Sequence, residues 1–208
     1  MSWPTHTGPV IGVLDYGSGN LHSVAQALGR LGTAVVVTHD WDLLDGCDGL
    51  VLPGVGAFAA CMAGLRGGGH ADRLVGWAES ERPMLGICVG HQVLYAKGEE
   101  HGQETAGLGL LAGAVSRLSA TRLPHMGWDQ VDAPADSAMF AGVSGERFYF
   151  VHSYAAHDSP GLVTWTRYGG DTFVAGVEHG HIWGTQFHPE KSGAPGARLL
   201  GNWLASLV

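Results

Sequence analysis

The sequence predicts an α/β fold with a mostly parallel central sheet flanked by helices, and with added antiparallel strands in the second half. Strand-like and helix-like patterns alternate through the first half, which is typical of a parallel sheet covered on both faces. The second half contains several strand-like runs with few helices between them. A hydrophobic content of 45% against 14% charged residues allows a buried core. Since no linker divides the 208 residues, we expect a single domain over 1–208.

The elements of the first half follow from apolar runs and from the residues that start or stop them. Residues 10–15 are mostly apolar and predict a buried strand. Asn20 is a suitable N-cap and Gly32 a suitable stop, and apolar residues recur between them with helical spacing. The same criteria predict strands at 34–38, 49–53 and 84–87, and helices from about 57, over roughly 71–80 and from 89.

The second half is predicted to be rich in strands. Strand-like runs occupy 114–118, 147–151, 162–166, 173–178 and 182–187. The chain then closes with a helix whose apolar face carries Leu199, Leu200, Trp203, Leu204 and Leu207. We therefore expect these strands to extend or accompany the parallel sheet.

Composition and charge argue against several classes of function. The net charge of −8 disfavours binding to nucleic acid or to an anionic membrane. The longest uncharged stretch, 49–65, is broken by Pro53, Gly54 and Gly56 and is not expected to span a membrane. Residues 1–6 lack the basic and apolar segments of a secretion signal. Three cysteines without metal-ligand spacing favour a reducing, cytoplasmic setting over a disulfide framework.

A candidate nucleophile lies where the fourth predicted strand gives way to a helix. Gly86-Ile87-Cys88-Val89-Gly90 is a cysteine version of the nucleophile elbow, in which glycines permit a sharp strand-to-helix turn. Such a turn directs the sulfur outward, places the Val89 N–H beside it as an oxyanion donor, and lets the helix N-terminus favour the thiolate. The alternative is a buried core cysteine in a glycine-rich turn, which is what we expect of Cys47 and Cys61.

A base for this nucleophile is predicted at the end of a late strand. His188 follows the apolar run 182–187 and precedes Pro189 and Glu190. Proline biases the preceding residue to an extended backbone, and residues i and i+2 of an extended segment face the same way. Glu190 can then hold the His188 ring in one tautomer, as the acid of a triad does. On its own this segment is more often incidental, and the cysteine elbow is what makes it a candidate.

Two further loops leave the same edge of the predicted sheet. Leu52-Pro53-Gly54-Val55-Gly56 follows a parallel strand, so its N–H groups can face a substrate near Cys88. Glycines on both sides of Val55 let its peptide rotate between an N–H and a carbonyl facing the oxyanion, so it is a candidate control element. The alternative is an ordinary turn. The first loop, 15–20, fails the dinucleotide fingerprint.

We expect neither a cofactor nor a metal. His179 and His181 have no third ligand in the sequence, and they are expected to flank a turn at Gly180.

Together these segments resemble the class I glutamine amidotransferases over nearly the whole chain. The resemblance implies a flavodoxin-like sheet and a catalytic triad of Cys88, His188 and Glu190. It also implies that Gln92 and the backbone of His152, Ser153 and Tyr154 bind the glutamine head group. Segments 15–21, 52–58, 126–128, 150–154 and 187–192 are similar to one branch of the family, the glutaminase subunits that serve histidine biosynthesis.

The resemblance also implies a partner. In that branch ammonia passes to a (β/α)₈-barrel cyclase, which makes imidazole glycerol phosphate and AICAR. Residues 124–128 are predicted to be a loop, and the resemblance places Trp128 and Lys191 at the cyclase interface, with Asn20, Met126 and Tyr149 nearby. The alternative for Trp128 is a side chain folded back over the sheet.

One residue departs from that branch, which usually has methionine where this chain has His91. A histidine there is more familiar in glutaminases that serve anthranilate or GMP synthesis, so another pathway is one alternative. Two others are a free-standing cysteine hydrolase of the γ-glutamyl peptidase type and a non-catalytic regulatory relative.

Overall fold

The computed structural model describes residues 8–207, so the N-terminal hexapeptide considered above lies outside the described residues. A seven-stranded sheet occupies the centre of this part of the chain, in the order β11-β12-β13-β4-β3-β1-β2. Its strands are β1 (Val10–Leu14), β2 (Ala34–Thr38), β3 (Gly49–Gly54), β4 (Met84–Cys88), β11 (Leu162–Tyr168), β12 (Asp171–His179) and β13 (Ile182–Thr185).

Five neighbouring strands of this sheet are parallel. Strand β1 pairs with β2 and β3, β4 pairs with β3 and β13, and every one of these pairings is parallel. Strands β12 and β11 then add to β13 in antiparallel fashion. The predicted fold class is confirmed, and the carboxyl ends of β1, β3, β4 and β13 meet at one edge of the sheet.

Helices cover this sheet. They are α1 (Leu21–Gly29), α2 (Trp41–Leu44), α3 (Phe58–Gly67), α4 (His70–Glu79), α5 (Val89–Gln92) and α6 (Gly193–Ala205). The apolar face of α6 is buried at Leu199, Leu200 and Trp203. Asn20 occupies the N-cap position of α1, but its side chain makes no capping hydrogen bond. Within residues 8–207, no helix combines the length and apolar character needed to cross a membrane.

Smaller sheets lie beside the central one. Strands β5 (Tyr95–Glu100), β6 (Gln103–Ala106), β7 (Leu111–Arg117) and β10 (Tyr154–Ala156) form a four-stranded sheet, while β8 (His125–Gln130) pairs with β9 (Arg147–His152) as a ribbon. The loop predicted at 124–128 is therefore wrong, since most of it belongs to β8. The helix predicted from 89 is a single turn, because the chain turns into β5 soon after Gln92.

Candidate active site

Cys88 sits in a strained turn between β4 and α5. Its φ of 56° lies in the left-handed region, which is costly for a residue with a side chain. The flanking glycines make the turn possible. A Cβ on Gly86 would lie 2.8 Å from the His91 Cα, and a Cβ on Gly90 would overlap the carbonyl oxygen of Leu52. The sequence motif thus folds as the predicted elbow.

His188 is held against Glu190 next to this turn. The His188 Nδ1 lies 2.8 Å from the Glu190 Oε1, and both side chains are almost completely buried. The backbone differs from the expected extended segment. His188 itself is extended, but Pro189–Lys191 forms a 3₁₀ turn, and this turn brings the Glu190 carboxylate back to the imidazole.

The electrostatics favour a protonated His188. Burial alone lowers the pKa of His188, but a hydrogen bond to Cys88 and the carboxylate of Glu190 outweigh burial and raise the pKa to about 9. A protonated imidazole beside the Cys88 sulfur is the state that can give a proton to a departing amine. The stabilisation of a thiolate by the single-turn helix α5 stays a prediction.

Strand β9 fixes the backbone of His188. The His188 N–H donates to the Tyr149 carbonyl at 2.9 Å. The Ser192 hydroxyl donates to the His188 carbonyl at 2.6 Å and accepts from the Tyr149 N–H at 3.0 Å. The position of the imidazole is therefore set by the ribbon as well as by Glu190.

These groups open onto a cavity of about 210 Å³, roughly the volume of seven water molecules at about 30 Å³ each. It is lined by Val55, Gly56, Cys88, Val89, Gln92, Glu100, Val151, His152, Ser153, Tyr154, His188 and Lys191. The structure thus brings the predicted nucleophile and base together with most of the residues predicted to bind substrate. Gly54 does not line the cavity, but it pairs directly with Cys88 across β3 and β4.

A buried polar network supports one wall of the cavity. The Gln92 side-chain amide donates to the Tyr154 carbonyl at 2.7 Å and to the Gln186 Oε1 at 2.9 Å. The Gln186 amide in turn lies 3.9 Å from the Cys88 sulfur. Gln92 and Gln186 therefore connect the Tyr154 backbone to the neighbourhood of Cys88.

The same carbonyl is reached by a second chain of side chains. The His152 Nδ1 lies 3.0 Å from the Tyr154 oxygen, the His152 Nε2 lies 3.1 Å from the His125 Nδ1, and the His125 Nε2 lies 2.7 Å from Asp129. Burial, together with positive charge on His125 or His188, lowers the pKa of His152 to about 3. His152 is therefore neutral at physiological pH.

The loop predicted to hold the oxyanion is tied to the first loop of the chain. The Val55 N–H donates to the Ser18 hydroxyl at 3.2 Å, and the Ser18 hydroxyl donates to the Val55 carbonyl at 3.0 Å. The Tyr16 hydroxyl donates to the Pro53 carbonyl at 2.8 Å. In this conformation the Val55 N–H is engaged by Ser18. Gly56, with φ at 85°, leaves room for another conformation.

Two polar residues of the site were missed by sequence reasoning. Glu100 lines the cavity from β5 and accepts the Phe58 N–H at 3.0 Å, and Gln186 bridges Gln92 and Cys88. No local motif marks Glu100. Gln186 has a weak signal in the sequence, because an amide at the end of a buried strand needs a polar partner.

The residues expected at an interface form an exposed face beside the cavity. Met126 and Trp128 point outward from β8 and are 61% and 48% exposed, so Trp128 is not folded back over the sheet. The Trp128 ring packs edge-on against Tyr149, with 5.9 Å between centroids. Lys191 is exposed at the cavity rim, and α1, which begins after Asn20, packs beside the turn that carries Lys191.

His91 lies directly behind the elbow and is completely buried. Its ring fills the space that Gly184 leaves on β13, and neither ring nitrogen has a hydrogen-bond partner. Burial lowers the pKa of His91 to about 3. His91 therefore packs as an apolar side chain would, at the cost of two unpaired nitrogens.

Comparisons with known proteins relate the chain to one family. The model of the family "Glutamine amidotransferase class-I" matches residues 12–207. The curated imidazole glycerol phosphate synthase subunit HisH of Corynebacterium efficiens is 52% identical, covering 93% of this chain and 97% of that protein. Its counterpart from Nocardia farcinica is 53% identical, covering 95% and 98%. A solved structure of a putative GMP synthase component from Thermoplasma acidophilum superposes with a TM-score of 0.72 at 25% identity, covering 97% and 95%.

We predict that replacing His91 by methionine stabilises the protein, and more so in acid. A buried polar group without a partner costs about 1–3 kcal/mol. The unfolded chain also gains a proton at position 91 as the pH falls below 6.5, whereas the folded chain does so only near pH 3. Stability is therefore lost as the pH falls through this window, by about 2 kcal/mol between pH 6.5 and pH 5.

Denaturant unfolding of His91→Met and of the unmodified protein at pH 7.5 and pH 5 measures both effects. His22→Gln, at an exposed position on α1, serves as the control for loss of a histidine. A variant less stable than the unmodified protein at pH 5 would contradict this account.

Proposed function

Since the chain belongs to the class I glutamine amidotransferase family, we propose that Cys88, His188 and Glu190 form the catalytic triad with which it releases ammonia from L-glutamine. The observation that carries this proposal is the shared cavity of Cys88 and His188, with the His188 ring bound to the buried Glu190. We also propose that residues 1–208 form one catalytic domain.

The chain is a glutamine amidotransferase that acts as a glutaminase subunit in histidine biosynthesis, and its curated relatives are named imidazole glycerol phosphate synthase subunit HisH. Those names support the branch that serves histidine biosynthesis over the glutaminases of anthranilate or GMP synthesis, which the histidine at position 91 had suggested as an alternative. We propose the cytoplasm as its place of action, on the grounds that its three cysteines are all free.

The proposed reaction proceeds through a thioester. His188 holds the proton of the Cys88 thiol, and the sulfur, as a thiolate, attacks the side-chain amide carbon of glutamine. The oxyanion that forms accepts from the Val89 N–H and from the 54–56 loop. The protonated His188 ring gives its proton to the leaving nitrogen, so neutral ammonia departs. The same ring then accepts a proton from water as the water attacks the thioester, and glutamate leaves.

Substrate binding is assigned to groups that face the same cavity. Gln92 and the backbone at His152, Ser153 and Tyr154 line this cavity, where they can hold the glutamine head group. Glu100 supplies a carboxylate to this cavity, and such a group suits the α-ammonium of an amino acid.

The proposed partner is the cyclase subunit of imidazole glycerol phosphate synthase, a (β/α)₈ barrel, in a heterodimer. Ammonia released into water becomes mostly ammonium, which is a poor nucleophile, so a glutaminase subunit needs an acceptor enzyme docked on it. The exposed Met126–Trp128 face next to the cavity supports docking there, with Asn20, Tyr149 and Lys191 at its border. No cofactor enters this scheme.

We predict that Cys88→Ala abolishes glutamine-dependent synthesis in the complex and leaves synthesis from added ammonium salt largely intact. The reason is that Cys88 serves only the release of ammonia, while the cyclase chemistry belongs to the other chain. Product formation from each nitrogen source measures this, with Cys47→Ala as the control because Cys47 is buried away from the cavity. Glutaminase activity that survives in Cys88→Ala would contradict the assignment of Cys88 as the nucleophile.

We predict that Trp128→Ala weakens association with the cyclase subunit by more than about 1 kcal/mol, the usual mark of an aromatic anchor. The melting temperature of the free subunit should change little, because the Trp128 ring is half exposed. A calorimetric titration measures the affinity. The control is Val37→Ala, which removes an exposed apolar side chain from β2 at the far edge of the sheet. Equal affinities for both variants would count against this docking face.

We predict that the 54–56 loop acts as a switch held by Ser18. Rotation that turns a Val55 N–H toward the oxyanion must break its bond to Ser18, and one such donor is typically worth about 10²–10³ in rate. Glutaminase activity should therefore be low in the free subunit but rise at least about a hundredfold, mainly in kcat, with partner and acceptor ligand.

Ser18→Ala tests whether Ser18 holds the 54–56 loop in the inactive conformation. Losing both hydrogen bonds between Ser18 and Val55 should raise the activity of the free subunit at least about twofold. Ser18→Thr keeps the hydroxyl and should resemble the unmodified chain. Replacing Gly56 by a β-branched residue should reduce the stimulation while the complex still assembles. Gly54 is a poorer test, because a Cβ there would press on the Gly90 N–H of the elbow. Full activity in the isolated, unmodified subunit would refute the switch.

A further inference from the structure

The chain of contacts from Asp129 to Tyr154 requires more protons than two neutral imidazoles carry. Its ends are both acceptors, a carboxylate at Asp129 and a backbone carbonyl at Tyr154. Between them lie three contacts of 2.7, 3.1 and 3.0 Å, and each needs one hydrogen. Neutral His125 and His152 supply only two, so the observed geometry holds a third.

The surroundings place this third proton at His125. The ring of His125 is stacked between Phe150 and Tyr168, with centroid distances of 4.8 and 4.0 Å and interplanar angles of 20° and 19°. A cation is stabilised by aromatic faces and by the carboxylate of Asp129. His152 cannot hold the charge, because its pKa is near 3.

We infer that Asp129 and His125 form a positioning pair, which binds an additional proton and thereby fixes His152 as a hydrogen-bond donor to the Tyr154 carbonyl in the substrate cavity. The inference rests on the proposed role of the 152–154 segment in binding glutamine. We call the form in which His125 and His152 together carry three ring hydrogens the three-proton state. In this state His152 donates from Nδ1, and the Tyr154 carbonyl has two donors, His152 and Gln92.

Loss of the third proton removes one of these donors. The Asp129 carboxylate keeps the remaining hydrogen on the His125 Nε2, because a bare Nε2 would place its lone pair against the negative carboxylate. The His125 Nδ1 then becomes an acceptor, and His152 satisfies it by donating from Nε2. The Tyr154 carbonyl retains only Gln92, so the cavity wall is held less firmly.

The proton is lost as the pH rises. Burial lowers the pKa of His125 below its ordinary value of 6.5, although Asp129 opposes that effect. The groups that face the pair are His152 on β9, Tyr168 on β11, and Asp132, Arg147 and Arg167, which share an outer cavity of about 740 Å³ with Asp129. His188 and His91 also contribute to the lowered pKa of His152. Acidic pH therefore favours the three-proton state.

Asp129→Asn separates this mechanism from a structural role. An asparagine amide can donate to the His125 Nε2, so two neutral imidazoles then satisfy every contact at any pH. Glutamine affinity is measured by calorimetry in the complex with the cyclase subunit, with Cys88→Ala as the background so that no turnover occurs. We expect the dissociation constant of the parent to rise about five- to tenfold between pH 5.5 and pH 8, the value of about one hydrogen bond.

Asp129→Asn should bind glutamine at all pH values as tightly as the parent does at pH 5.5. The control His125→Phe keeps the stacked ring and removes the acceptor that competes for the His152 hydrogen, so its glutamine affinity should not vary with pH. A pH dependence in Asp129→Asn equal to that of the parent would overturn the inference.

Nitrogen-15 NMR of labelled histidines supplies a readout that is independent of glutamine. At acidic pH it should show an imidazolium at His125 and an Nδ1–H tautomer at His152, and in Asp129→Asn a neutral His125 with the same His152 tautomer. An Nε2–H tautomer at His152 in acid would overturn the inference by itself. These outcomes differ from a failure of the proposed function, which would appear as an unmodified complex that does not hydrolyse glutamine.

Discussion

The site depends on the close approach of two backbones, the elbow after β4 and the end of β3. Gly90 lies so near the Leu52 carbonyl that no side chain fits between them, and Gly54 abuts the Gly90 N–H in the same way. This contact holds Cys88 at a positive φ, a conformation that costs roughly 1–3 kcal/mol. Pairing of β4 with β3 on one side and β13 on the other resists relaxation of the turn.

Once the elbow is fixed, the remaining parts of the site follow from strands that end at the same edge. Strand β13 lies next to β4 and leads directly to His188, whose backbone the β8–β9 ribbon holds through Tyr149. The ribbon also carries the exposed Trp128 on one face and the buried His125 on the other. The proposed docking face and the proposed glutamine site are thus two sides of one pair of strands.

The sequence predicted the parallel part of the fold well, because β1, β3, β4 and β13 are almost entirely buried and are rich in apolar residues. Strand β8 was missed because its pattern is reversed. Met126 and Trp128 face outward, whereas the polar residues His125 and Asp129 lie on the opposite face of the strand. There His125 is buried and contacts both Asp129 and His152. Strand β5 was missed because Lys97, Glu99 and Glu100 make it look like a loop.

The candidate triad could be found because each member lies in a short local signal, the cysteine elbow and the His-Pro-Glu segment. The 3₁₀ turn that brings Glu190 to His188 could not be predicted, since it follows from how Ser192 and Tyr149 anchor the chain. Gln186 and Glu100 owe their positions to partners 94 and 42 residues away. Such residues are identified only when the sheet edge is assembled.

The position of β13 has a consequence for how the protein is made. This late strand pairs with β4 on one side and β12 on the other, so it completes the middle of the sheet with residues from the end of the chain. During synthesis, β1 to β4 leave the ribosome first, and the open edge of β4 must wait for residues 182–185. The thiol of Cys88 has no imidazole beside it in this interval. A nascent or truncated chain therefore carries the proposed nucleophile without its proposed base, and the pair assembles only when the whole sheet closes.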